Sequence, residues 1–370
     1  MDRCLLTAEM MSVKTISEII EEINDDDQWD EIKSKLIVPF MYTEGEPLYH
    51  ITIYKTKTAN FLFFDIAHIM GDGMSMNILF EDLNKIYAGE EIAINDYTYF
   101  ELTLDEAEKN AKGMKEKNVK YYLELMENYK IKKSIFTNKI SYSLDKGQNA
   151  DISRRFENLN RRKVLNFCKK KGISENVFFL TAFNYCVGIY ANSDDTIVSS
   201  IHSGRTDSRW NRIVGPLFIS YLFRYKKIAH EKVDDLLKRN AKQIMNTMRC
   251  YISTLHGDEI FFQYQGDILN INEIGCEKAE REPIKLDSMP FHMQVMSDNK
   301  GYRYVLRYWQ NRLDREQLTT FLLCYECVLE AMLDETSVRK LRDHLPSKVF
   351  PLHYATTVAK VNFEAGENLI

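Results

Sequence analysis

Ala67-His68-Ile69-Met70-Gly71-Asp72-Gly73 places a histidine four residues ahead of an aspartate on a short, glycine-flanked stretch. An imidazole can be neutral at neutral pH and take a proton from an attacking hydroxyl or amine. An acid one turn away can hold such a loop in shape. The chemistry this spacing suits is acyl transfer, with His68 as base and Asp72 as the group that fixes the turn. Other constellations are weaker. Cys324 and Cys327 form a C-x-x-C, but they lie in an apolar helical pattern with no second pair and no neighbouring histidine, so a helix core is expected there rather than zinc. His292, His344 and His353 are scattered, and metal chemistry is not indicated. His202 is read as a strand-end histidine, with a place facing a cleft as its alternative.

The elements around the loop must position it. Leu48 to Lys55 alternates, with Tyr49, Ile51 and Ile53 on one face and the more polar His50, Thr52 and Tyr54 on the other, which implies that the first face is the buried one. Asn60 to Asp65 is a continuous apolar run, and a hairpin turning near Lys57 to Asn60 would deliver the chain into the loop. Ser75 is a plausible N-cap for the helix that follows. In that helix Met76, Leu79, Phe80, Leu83, Ile86 and Tyr87 recur at helical spacing, and Gly89 stands just past the end. Upstream, Ile16, Ile19, Ile20 and Ile23 suggest a helix, and Lys35 to Phe40 a short strand.

Further along, Leu104 to Lys130 reads as one long polar helix and Ile131 to Asp151 as a crossing into a second lobe. That lobe opens with a helix from Arg161 to Lys171, closed by Gly172, and a strongly apolar helix from Val177 to Tyr190, capped by Ser174. Strands are expected at Thr196 to His202, Leu217 to Tyr225, Glu259 to Tyr264, Phe291 to Met296 and Tyr302 to Tyr308, with helices near Val233 to Met248 and Asp314 to Leu333. The tail beyond Pro346 has little pattern. The fold class is α/β (α+β mixed), in two sandwich lobes: residues 1–150 carrying the His68 loop, residues 151–345, and a tail from 346 to 370.

Composition narrows the function. A chain of 370 residues with 45% hydrophobic residues can fill a substantial core, and a net charge of −5 argues against nucleic-acid binding, which needs clustered excess Lys and Arg. The run Lys169-Lys170-Lys171 reads as a solvated helix end. Seven scattered cysteines make no disulfide framework, no apolar run reaches membrane-spanning length, and the first twenty residues lack a signal-peptide pattern, so a cytoplasmic location is expected.

The ordered elements resemble those of nonribosomal peptide synthetase condensation domains and, more widely, the H-x-x-x-D-G acyltransferase superfamily that includes chloramphenicol acetyltransferase. His68 to Gly73 matches the signature and runs through Met74-Ser75 into a helix ending Leu83-Asn84-Lys85-Ile86-Tyr87-Ala88-Gly89. Pro39-Phe40, Gly45-Glu46-Pro47-Leu48, Tyr97 to Leu102, Tyr121-Tyr122, Ser203-Gly204-Arg205, Val214-Gly215-Pro216-Leu217-Phe218-Ile219-Ser220 and Phe262-Gln263-Tyr264-Gln265-Gly266 follow the family's order. There are departures. Ala67 stands where a first histidine is usual, Ser220 where an asparagine is usual, and little sequence precedes His68 to hold the first two motifs, which implies a shortened first lobe.

The resemblance implies two lobes facing each other across a V-shaped cleft with His68 at its middle. The donor would be an acyl thioester on the phosphopantetheine of an acyl- or peptidyl-carrier protein, and the acceptor a small-molecule or carrier-bound amine or hydroxyl. No cofactor would be bound in the chain itself. His68 would be base or orienter. Asp72 would be structural, pointing away from substrate and paired with Arg205, or alternatively Arg224. A buried pair of that kind costs roughly 3–5 kcal/mol to break. Gly71 and Gly73 would allow unusual backbone angles and close approach of the thioester, and Ser220 could donate to the oxyanion. Since no adenylation, carrier or thioesterase region follows, acyl-CoA is the alternative donor. A degenerate carrier-binding scaffold, favoured by Ala67 and the short first lobe, is the alternative to an enzyme.

Overall fold

The computed structural model describes residues 20–22, 32, 35–36, 38–43, 47–55, 60–92, 97–129, 149–250, 260–266 and 290–345. The chain packs as two compact units. One holds residues 1–99 together with 212–217; the other holds 100–211 and 218–369. The described residues 100–129, placed with the first lobe by sequence, pack in the second unit.

In the first unit, β1 (Ile20–Glu22) runs parallel to β2 (Tyr49–Lys55), which pairs antiparallel with β3 (Asn60–Ile66). The hairpin pairing agrees with the sequence reading; its turn, 56–59, lies outside the described residues. Two readings upstream are corrected. Ile20–Glu22 is a strand rather than part of a helix, because its backbone pairs with Ile53 to Lys55, and the rest of that helix lies outside the described residues. Lys35 and Leu36 are helical and 38–40 irregular, so none of the described residues there is in a strand. The buried face of β2 is also the reverse of the expected one at its far end, where Tyr54 is 5% exposed and Ile53 41%. After β3 comes α1 (Gly73–Tyr87), whose Phe80 ring lies 5.5 Å from that of Phe64 on β3. Ser75 and Ile78 are its buried residues, whereas Ile86 and Tyr87 are exposed, so the apolar stripe read from sequence is only partly covered.

The second unit begins with α2 (Tyr99–Ala111, all but its first residue) and α3 (Met114–Met126). The single long helix of the sequence reading is broken by Gly113, whose φ of 85° belongs to the left-handed region that glycine tolerates. A six-stranded mixed sheet follows in the order β4-β9-β8-β7-β5-β6, from β4 (Asn149–Arg155), β5 (Asp195–His202), β6 (Ile219–Lys226), β7 (Ile260–Gly266), β8 (Phe291–Asp298) and β9 (Gly301–Trp309). Strand β4 extends into the stretch read as a crossing.

The helices are α4 (Arg161–Lys171), α5 (Glu175–Tyr190), α6 (Val233–Arg249) and α7 (Arg315–Asp334). Asn160, Ser174 and Asp314 cap α4, α5 and α7 through side-chain oxygens, and Gly172 ends α4 at φ 66°. Only Glu175, Asn176 and Ile189 of α5 escape burial, the signature of a central helix. It packs beside α7 over a core that includes Phe183, Phe262, Phe291, Tyr304 and Phe321. Cys324 on α7 is fully buried there, as the helix-core reading expects. Across the sheet, Tyr122 of α3 packs with Leu222 of β6. The tail from 346 lies outside the described residues.

Candidate active site

The loop grows directly out of β3. The Ala67 N–H donates to the Leu48 carbonyl at 2.9 Å and that of Met70 to the Ala67 carbonyl at 2.8 Å, closing a tight turn over 68–70. Ala67 faces the interior at 3% exposure, whereas His68 is exposed. The His68 Nδ1 lies 2.9 Å from the Gly71 carbonyl oxygen. A carbonyl can only accept, so Nδ1 carries the proton and the basic lone pair is on Nε2. This is the tautomer a general base needs if it is to meet a nucleophile at Nε2.

Asp72 is the N-cap of α1, a place the sequence reading gave to Ser75. Its Oδ1 accepts from the Ser75 N–H at 2.9 Å, while Ser75 Oγ, at N3, accepts from the Asp72 N–H at 3.2 Å. The same two side chains reach 140 residues along the chain. Asp72 Oδ2 accepts from the Leu217 N–H at 3.1 Å, and Ser75 Oγ accepts from the Gly215 N–H at 3.0 Å. Its single hydroxyl proton has two acceptors, Asp72 Oδ1 and the Gly215 carbonyl, each at 2.9 Å. Asp72 is 5% exposed and Ser75 fully buried. Segment 212–217 is further held to α1 by Arg212, which pairs with Glu81 at 3.1 Å and with Asp82.

Neither Gly71 nor Gly73 has a positive φ, so the expectation of unusual backbone angles there is corrected. Space is tight at Gly71 instead, since a Cβ would lie 3.0 Å from the Ser75 Cβ and the buried serine would have to yield by a few tenths of an ångström. The arginines proposed for Asp72 sit in the second unit. Arg224, the alternative, is corrected: Nε bonds Asp195 at 2.8 Å, Nη2 bonds it at 2.5 Å, and Nη1 donates to the Leu125 and Glu127 carbonyls. Arg205 turns Nη1 to the Ser203 carbonyl at 3.1 Å. Ser220 is buried on β6 opposite Ile201. His202 ends β5, as read, with Nδ1 accepting from the Gly204 N–H at 3.0 Å, and burial pushes its pKa down to about 4. Burial does the same to His292.

What sequence reasoning missed is the clasp between α1 and segment 212–217. Asp72 and Ser75 at N-cap and N3 spacing signal a cap, but nothing in local spacing points to Gly215.

With a buried cap, an outward histidine and a defined tautomer on one strand-to-helix turn, comparison with known proteins becomes decisive. The condensation-domain family model matches residues 4–251. The chain belongs to the condensation-domain family. It is 24% identical to surfactin synthase subunit 1 of Bacillus subtilis over 213 residues, covering 54% of this chain and 6% of that protein. It spans between 4% and 8% of the length of the curated relatives it matches. Among solved structures it is similar to the condensation domain of the Monacolin K polyketide synthase MokA, with TM-score 0.69, 12% identity and coverage of 85% of this chain and 79% of that one. The epimerization domain from the third module of tyrocidine synthetase B gives TM-score 0.63, 16% identity and coverage of 85% and 80%. These likenesses establish the mixed α/β, chloramphenicol acetyltransferase-like fold. Among the described residues no helix is long and apolar enough to cross a membrane.

Proposed function

We propose that this condensation domain catalyses acyl transfer, forming an amide or ester from a carrier-bound acyl thioester and an amine or hydroxyl acceptor, with His68 as base or orienter. The observation that carries the reading is the exposed His68 ring, whose Nδ1–H is bonded to the Gly71 carbonyl, which leaves the basic lone pair on Nε2. Fold alone does not select this reaction, because a structural relative is an epimerization domain. In the proposed step Nε2 takes the acceptor's proton as its nitrogen or oxygen attacks the thioester carbon. The tetrahedral intermediate collapses with loss of the thiolate, and the imidazolium returns the proton to sulfur. General base catalysis of this kind contributes about 10²- to 10⁴-fold.

Ala67, the departure from the family's pattern beside the catalytic position, is buried at 3% exposure while the neighbouring His68 is exposed. Asp72 acts as the cap that shapes the loop. The donor is a phosphopantetheine-bound acyl group on a carrier protein, the acceptor a small or carrier-bound nucleophile. The test is transfer from an acyl-loaded carrier compared with the same acyl-CoA. Product from the carrier alone supports the proposal, product from CoA alone replaces the donor, and none from either opposes an enzyme.

A further inference from the structure

The serine at N3 of α1 does more than cap a helix. Its Oγ is fully buried, stands within hydrogen-bonding distance of both main-chain polar groups of Gly215, and touches the carboxylate of Asp72. The space around it is closed, since even a methyl on Gly71 would press on Ser75 Cβ at 3.0 Å. Gly71 in turn supplies the carbonyl that holds the His68 Nδ1–H. One hydroxyl therefore joins segment 212–217 and the Asp72 cap, and it accepts at 3.2 Å from the Asp72 N–H, which shares its planar peptide unit with the Gly71 carbonyl that meets His68 Nδ1. The chain leaves the second unit at Asn211, contributes six residues to the first, and returns at Phe218. Its position there is read by Ser75 and Asp72.

We propose that Ser75 is a positioning residue for His68: its hydroxyl locks the Gly71 carbonyl in register with the Gly215 segment and so holds His68 in the Nδ1–H form. The proposal rests on the acyl-transfer reading for its kinetic consequence, but not for its geometry. A displacement of about 1 Å at a reacting group can cost roughly 10²-fold in rate, while substrate affinity set elsewhere is unaffected. Losing the hydroxyl should therefore lower kcat by about that factor with KM little changed.

The test uses the whole chain with ring-¹⁵N histidine and no substrate. Protonated and unprotonated ring nitrogens are well separated, and His68→Gln identifies the His68 signals among the eight histidines. At a pH where the ring is neutral, wild type should show a protonated Nδ1. Ser75→Ala should shift His68 toward the Nε2–H form. Ser75→Cys keeps a donor and acceptor at the same position, weaker and on a larger atom, and should fall between. Steady-state transfer from an acyl-loaded carrier gives the second readout, with kcat down about 10²-fold in Ser75→Ala. Unchanged His68 nitrogen signals in folded Ser75→Ala and Ser75→Cys would overturn the proposal and leave Ser75 a cap only. Should wild type transfer no acyl group, the functional reading fails, and the nitrogen spectra still decide whether Ser75 sets the tautomer.

Discussion

Replacing Asp72 separates its two jobs. The carboxylate caps α1 through Oδ1 and accepts from the Leu217 N–H through Oδ2. Asparagine caps a helix about as well as aspartate, but with its oxygen toward Ser75 its amide nitrogen must face the Leu217 N–H, donor against donor. The site is buried, so stranding that N–H costs roughly 1–3 kcal/mol. Alanine loses the same contact and also the cap, a further 0.5–2 kcal/mol or about 1 on average. With about 2 kcal/mol for Asp72→Asn and about 3 for Asp72→Ala, amides in the first turns of α1 should exchange roughly 30-fold and on the order of 100-fold faster, at tenfold per 1.4 kcal/mol. Hydrogen exchange read on peptides spanning 73–87 measures both. Wild-type exchange in Asp72→Asn would refute the argument that the Leu217 contact stabilises the loop, and equal exchange in the two variants would refute the contribution of the cap.

Other perturbations test other parts of the structure. His202 and His292 titrate near pH 4 in the folded chain and near 6.5 when unfolded, so the unfolded state binds more protons between those values. The stability they confer is complete above about pH 6.5 and lost on acidification toward pH 4, a few kcal/mol for each; urea midpoints measured across that window should fall, and His292→Gln should flatten the decline. Arg224→Met leaves Asp195 and two carbonyls without their partner; because the Asp195 side chain is 33% exposed, the cost sits at about 3 kcal/mol, and Asp195→Asn in the same chain should recover part of it in a denaturation cycle. Gly215→Ala would bring a Cβ to 2.6 Å from the Tyr99 ring, and a lower melting temperature, equivalent to about 1–3 kcal/mol, is expected by calorimetry.

The parts of this chain that could be read from sequence were those governed by local rules. Ser174, Gly172 and Asp314 announce helix ends by cap chemistry, and Val233, Leu236, Leu237 and Ile244 give α6 its period. The His68 turn was legible because an apolar strand and a capped helix leave only a short turn between them. Reading failed where partners lie far away. Ile20–Glu22 is a strand only through its pairing with β2, and Tyr54 rather than Ile53 is buried because packing, not alternation, chooses the face. Arg224 is adjacent in space to Asp195 through strand pairing that a linear pattern does not display. The clasp from Ser75 to Gly215 is of the same kind.

The most direct test of the acyl-transfer account is the transfer rate of His68→Ala measured beside wild type, with an acyl-loaded carrier and a saturating amine, on protein whose folding is verified by circular dichroism. Because the ring is exposed, its removal should leave the fold intact and lower product formation by at least about 10²-fold. A folded variant that transfers acyl groups at the wild-type rate would contradict the account.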